Sequence, residues 1–154
     1  MKYIFKIAIF SIAVFGVSGL ANAQEKITKD EAQALVKKIV AFAKANGEEK
    51  AIAACNTPDY YVKADGYVFA YDPKGVNVCH KNEKMRGKNL HEMKDADGVP
   101  LIQEMLKACN SAAGNGWIKY KWPNAVTKAV EPKQSYAEKQ GTICWASGFY
   151  VGLK

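Results

Sequence analysis

The sequence predicts an α+β fold in which one long N-terminal helix packs on a five-stranded antiparallel sheet. Two observations carry this. Ala32, Leu35, Val36, Ile39, Phe42 and Ala43 recur at helical spacing. The period then changes: Tyr67-Val68-Phe69-Ala70-Tyr71 and Trp117-Ile118-Lys119-Tyr120-Lys121-Trp122 are aromatic and β-branched runs bounded by turn residues. The order along the chain is helix, two strands, helix, three strands.

Each element has a local reason. Thr28-Lys29-Asp30-Glu31 is a capping box, with the Thr28 hydroxyl set to accept from the Glu31 backbone and the Glu31 carboxylate set to reach back. Asn46-Gly47 interrupts the helix, and residues 48–54 continue it briefly before Asn56-Thr57-Pro58. Asp72-Pro73-Lys74-Gly75 is a turn with Pro early and Gly late, so residues 67–71 and 76–79 form a hairpin. Tyr67, Phe69 and Tyr71 share one face of its first strand. Residues 81–98 are polar and aperiodic and read as a long loop over the sheet, a common place for binding elements. Pro100 opens a second helix with Leu101, Ile102, Met105, Leu106 and Cys109 on its buried face, and Gly114-Asn115-Gly116 stops it. Strands at 117–122, 133–139 and 142–150 complete the sheet.

The first 23 residues read as a secretory leader. Lys2 and Lys6 precede an apolar run at 7–20, and Ala21-Asn22-Ala23 is a small-x-small cleavage site before Gln24. Residues 24–154 then form one domain, exported to the periplasm. Losing Lys2 and Lys6 lowers the formal charge from +7 to +5. That balance suits solubility and attraction for small anions; no clustered basic face or nucleic-acid motif points to nucleic acid. Cys55, Cys79, Cys109 and Cys144 are an even set in an exported chain, which suggests disulfides, and all three pairings are open.

Dedicated chemistry finds little support. Cys79-His80 invites a haem reading, but the first position of C-x-x-C-H is Val76. Paired zinc-ligand spacing is missing, and His91 reads as a solvated loop residue. Asp95-Ala96-Asp97-Gly98 lacks the third oxygen ligand of a calcium loop and places Leu106 where Glu belongs, so it reads as a polar turn before Pro100. There is no G-x-S-x-G, no cysteine-protease signature and no paired carboxylates, so neither an enzyme nor a cofactor is expected. What remains is an aromatic and basic set: Phe69, Tyr71, His80, Tyr120, Trp122, Lys133 and Tyr136. Rigid aromatic walls with a few polar groups make small-ligand pockets, and Lys133 or His80 can meet a carboxylate. For any one aromatic, packing in the core is the plainer reading.

Six stretches in order resemble the single Cache domains of bacterial extracellular sensors. They are Tyr67-Val68-Phe69-Ala70-Tyr71-Asp72-Pro73-Lys74-Gly75, Gly87-Lys88-Asn89-Leu90, Lys94-Asp95-Ala96-Asp97-Gly98, Trp122-Pro123-Asn124, Pro132-Lys133-Gln134-Ser135-Tyr136 and Gly148-Phe149-Tyr150. The resemblance spans about 28–150 and implies a PAS-like fold that binds small metabolites, often short carboxylates, at the positions of the set above. The chain departs from the family pattern in carrying Lys81 where Pro usually follows the pocket His. It also ends at Lys154, soon after the last strand. The expectation is therefore a free-standing, monomeric binding protein that signals through a separate membrane receptor or sensor kinase. The alternatives are a redox or cytochrome-like protein using Cys79-His80, and an adhesin-like interaction domain with a filled core.

Overall fold

The computed structural model describes residues 26–152; the leader read at residues 1–23 lies outside them. The long helix α1 (Lys29–Asn46) starts at the expected capping box: Glu31 N donates to Thr28 Oγ1 at 3.3 Å and Thr28 N to Glu31 Oε2 at 2.8 Å. Gly47, at φ 91°, ends it and lets α2 (Glu48–Cys55) follow at once. Ala32, Leu35, Val36, Ile39 and Ala43 are buried, so the apolar stripe of α1 lies on the sheet.

Among the described residues the sheet has six strands rather than five. The additional one is β1 (Tyr61–Val62), too short to show a period. It is followed by β2 (Gly66–Tyr71), β3 (Asn77–Cys79), helix α3 (Leu101–Cys109), β4 (Asn115–Pro123), β5 (Val130–Gln140) and β6 (Ile143–Tyr150). All pairings are antiparallel, in the order β1-β2-β6-β5-β4, with β3 also pairing β2. The β2–β3 turn closes through Gly75 N to Asp72 O at 3.0 Å, while Asp72 Oδ1 accepts from Lys74 N and Val76 N. Gly75 is obligatory here. Its φ is 80°, and a Cβ would sit 2.8 Å from the Cβ of His91, where the long loop crosses the turn.

That loop is zipped along the outer edge of β3: Asn77 N donates to Lys88 O, Gly87 N to Asn77 O and Leu90 N to Gly75 O. Its Asp95 accepts from Asp97 N and Val99 N and also from Lys121 N of the edge strand β4, at 2.7 Å. The Asp95-Ala96-Asp97-Gly98 segment is thus a turn that caps an exposed sheet edge. Two disulfides tie helices to strands, Cys55–Cys79 joining α2 to β3 and Cys109–Cys144 joining α3 to β6. The result is two cores, one on each face of the sheet. Val68, Ala70, Tyr136 and Trp145 meet α1 on one side; Tyr67, Phe69, Tyr71, Ile118, Tyr120 and Ala146 meet α3 and the loop on the other.

Candidate functional site

Strand alternation builds a hollow on the α3 face. The two central strands contribute small residues: Ser135 and Ala137 from β5, Ala146 and Gly148 from β6. The flanking strands contribute large ones: Tyr67, Phe69 and Tyr71 from β2, Tyr120 and Trp122 from β4. Between the tall walls lies a small cavity of about 10 Å³, lined by the five aromatics with His80, Leu101 and Met105. Such a volume holds one water-sized group. Three of its walls, Tyr67, His80 and Trp122, also line an open cleft of about 750 Å³. The rings are in mutual contact: Tyr67 and His80 lie 5.0 Å apart between centroids, His80 and Trp122 6.5 Å, and Tyr120 and Trp122 6.2 Å.

The polar groups are few. Lys133 projects from β5, cross-strand from Tyr120 and Tyr150, and is only 1 % exposed. Its ammonium lies over three rings, Tyr67 at 4.5 Å, Tyr150 at 4.9 Å and Phe69 at 5.6 Å, and donates to the Tyr67 hydroxyl at 3.3 Å. Ring faces attract a cation but do not replace its hydration. Among the described residues no carboxylate forms an ion pair with it. Burial therefore pulls the Lys133 amine down to about 7, opposed only by the field of Asp65. That drop corresponds to about 5 kcal/mol against the charged form.

His80 is held from three sides. Its backbone N–H donates to Asn56 Oδ1, its carbonyl accepts from Arg86 Nε, and its Nδ1 accepts from Asn82 N at 2.9 Å. The hydrogen-bond network thus assigns the ring proton to Nε2, which is left as a donor. Burial, then the charges of Lys133 and Arg86, lowers the imidazole to about 3, so His80 can meet a carboxylate here only as a neutral donor. Burial raises the hydroxyls of Tyr67, Tyr71 and Tyr120 out of the titrating range; Tyr120 Oη and Ser135 Oγ share a hydrogen bond of 2.9 Å.

Of the seven residues singled out in the sequence, six converge here: Phe69, Tyr71, His80, Tyr120, Trp122 and Lys133. Tyr136 does not. Three positions separate it from Lys133, so on a regular strand it faces the other way. It packs against Trp117 on the α1 side, and its hydroxyl donates to Glu138. The redox reading of Cys79-His80 is also corrected, because Cys79 is bonded to Cys55 and none of the four cysteines is free. Among the described residues no cluster of His, Cys, Asp and Glu is arranged to hold a metal ion.

Residues 18–148 match the single Cache domain 2 family. The chain belongs to that family. The sensor histidine kinase MctS of Rhizobium johnstonii is 32% identical over 117 residues, which are 73% of this chain and 25% of MctS, so the Cache chain spans about a quarter of that relative. Among solved structures, a methyl-accepting chemotaxis protein from Vibrio parahaemolyticus superposes with a TM-score of 0.69 at 27% identity, covering 80% of this chain and 88% of that one. A periplasmic sensor domain of a chemotaxis protein follows at 0.61 and 25%, covering 80% and 90%. A third, described as the structural basis for carboxylic acid recognition by a Cache chemosensory domain, shares the fold at 0.62 and 22%, covering 80% and 88%. Domains of this kind are extracellular ligand-sensing modules of chemoreceptors and sensor kinases.

Within the Cache hollow, sequence reasoning left out Tyr67, Ser135 and Tyr150. Alternation alone would have supplied two of them: Tyr67 shares a face with Phe69, and Ser135 with Lys133. Tyr150 is brought to Lys133 by the β5–β6 register, which the sequence does not display.

Proposed function

We propose that this Cache domain binds a small carboxylate in the periplasm, after export by a cleaved leader at residues 1–23, and passes the signal to a separate membrane-bound receptor or kinase. One observation carries the reading: Lys133 is a buried amine whose only hydrogen-bond partner among the described residues is a tyrosine hydroxyl. A carboxylate beside it supplies the missing counter-charge and returns the ammonium to its ordinary protonation. His80 Nε2–H and the Tyr67 hydroxyl add neutral donors, and the aromatic walls exclude water from the pair. The fold-level likeness to a Cache domain described as recognising carboxylic acids is consistent with this. The apolar stripe of α1 is occupied by the sheet, which favours a monomer.

A thermal-shift screen of linear two- to five-carbon acids, with their amides as controls, tests the reading. Ligand at about 100 times its Kd adds about 2.7 kcal/mol of stability. At least one acid is expected to raise Tm by several degrees, its amide to have no effect, and Lys133→Met to abolish the response. A response to amides, or one that survives Lys133→Met, contradicts the reading.

A further inference from the structure

Lys133 itself lines neither the small cavity nor the open cleft but donates to Tyr67, a wall of the small cavity; that cavity admits a single water-sized group, so a ligand whose carboxylate reaches Lys133 must place its body elsewhere. The open cleft is the space next to it. The two share Tyr67, His80 and Trp122, and about 750 Å³ lies within the usual range for a small-ligand site. The chemistry of the cleft is one-sided. Met85, Met93 and Pro123 give it apolar walls, and its charged residues are Lys81, Lys94 and Lys128, with no Asp or Glu among the lining.

The acids near these lysines are engaged elsewhere. Glu83 pairs with Arg86, Glu92 with His91 and Asp97 with Lys121. Asp95 accepts from the backbone of Lys121, and Glu131 from Asn124 and Thr127. Lys81 is partly committed, donating to Ala64 O at 3.2 Å and lying over the Tyr61 ring. Lys94 and Lys128 form no hydrogen bond or ion pair through their side chains among the described residues. Two uncommitted ammonium groups line an apolar cleft, and another of its lining residues, Tyr67, takes a hydrogen bond from the buried Lys133; together they make a two-point arrangement for negative charge.

We infer that the ligand is a dianion: one carboxylate sits at Lys133, a short apolar body lies along the Met85, Met93 and Trp122 wall, and a second anionic group meets Lys94 and Lys128. This rests on the carboxylate reading above and narrows its ligand class. The terminal group is a carboxylate or a phosphate, since both satisfy two ammonium donors.

Calorimetric titration decides it. The probes are straight-chain monocarboxylates of four to eight carbons, the α,ω-dicarboxylates of equal length, and ω-phosphonocarboxylates that separate the two terminal groups. In the wild-type protein one dianion series is expected to bind at least tenfold tighter than the monoacids. The double variant Lys94→Gln with Lys128→Gln, both at the surface, is expected to erase that advantage while changing monoacid affinity less than twofold. Equal affinity for monoacids and dianions overturns the inference and leaves the carboxylate reading standing, as does an advantage that survives the double variant. Absence of binding by every acid overturns both.

Discussion

At Lys133 the chain buries an amine among ring faces, and a pH dependence of folding follows. The unfolded chain titrates this group near 10.5 and the folded one near 7, so between those values the unfolded state holds the extra proton. Stability therefore rises with pH across that window, by about 1.4 kcal/mol per pH unit from this group. The buried tyrosines act only above about pH 10, with the opposite sign, and His80 acts only between about 3 and 6.5. Urea midpoints at about pH 7 and about pH 9.5 should differ in the wild-type protein, and the difference should largely vanish in Lys133→Met. Because Met conserves volume without charge, the variant should also be at least as stable as wild type near pH 7. A wild-type profile that is flat over this range contradicts the burial of an unpaired amine. Lys133 was legible in the sequence as a cation on an aromatic strand. Its depth was not, because that depends on the small residues of two neighbouring strands. The misplacement of Tyr136 has a simpler cause: an odd spacing along a strand separates two side chains onto opposite faces.

Elements position the site through the contrast between small and large strand residues. Gly148 of β6 is the tightest point of the floor. A Cβ there would sit 2.1 Å from Ser135 Oγ and 2.5 Å from Gln134 O, so neither a rotamer change nor a small shift relieves it. Gly148→Ala should destabilise the fold by about 1–3 kcal/mol in urea denaturation, the usual cost of overpacking; an unchanged midpoint would show that β5 and β6 are not packed this closely. The opposite wall depends on α2. Cys55 is bonded to Cys79, and the adjacent Asn56 accepts from the backbone of His80, so a helix on one side of the sheet fixes a ring on the other. The helices and the hairpin were readable because capping, apolar period and turn chemistry are local. The disulfide pairs were not, since sequence separations of 24 and 35 carry no information about which sulfurs meet. Strand β1 escaped notice because two residues have no period.

At the scale of the molecule the sheet divides two tasks. The α1 face is a filled core of Ala32, Val36, Ile39, Val68 and Trp145, while the α3 face carries the aromatic cavity and the adjoining cleft. Among the described residues no helix is long and apolar enough to cross a membrane. On the proposed reading ligand binding is coupled to protonation, because a carboxylate at Lys133 would stabilise the ammonium that burial disfavours. Calorimetric titration of the best-binding acid at about pH 8, in two buffers of different ionisation enthalpy, counts the protons exchanged. Uptake of close to one proton per ligand is predicted, with affinity falling as pH rises through the range where Lys133 deprotonates. Binding with no proton uptake and no dependence on pH would contradict a carboxylate site built on Lys133.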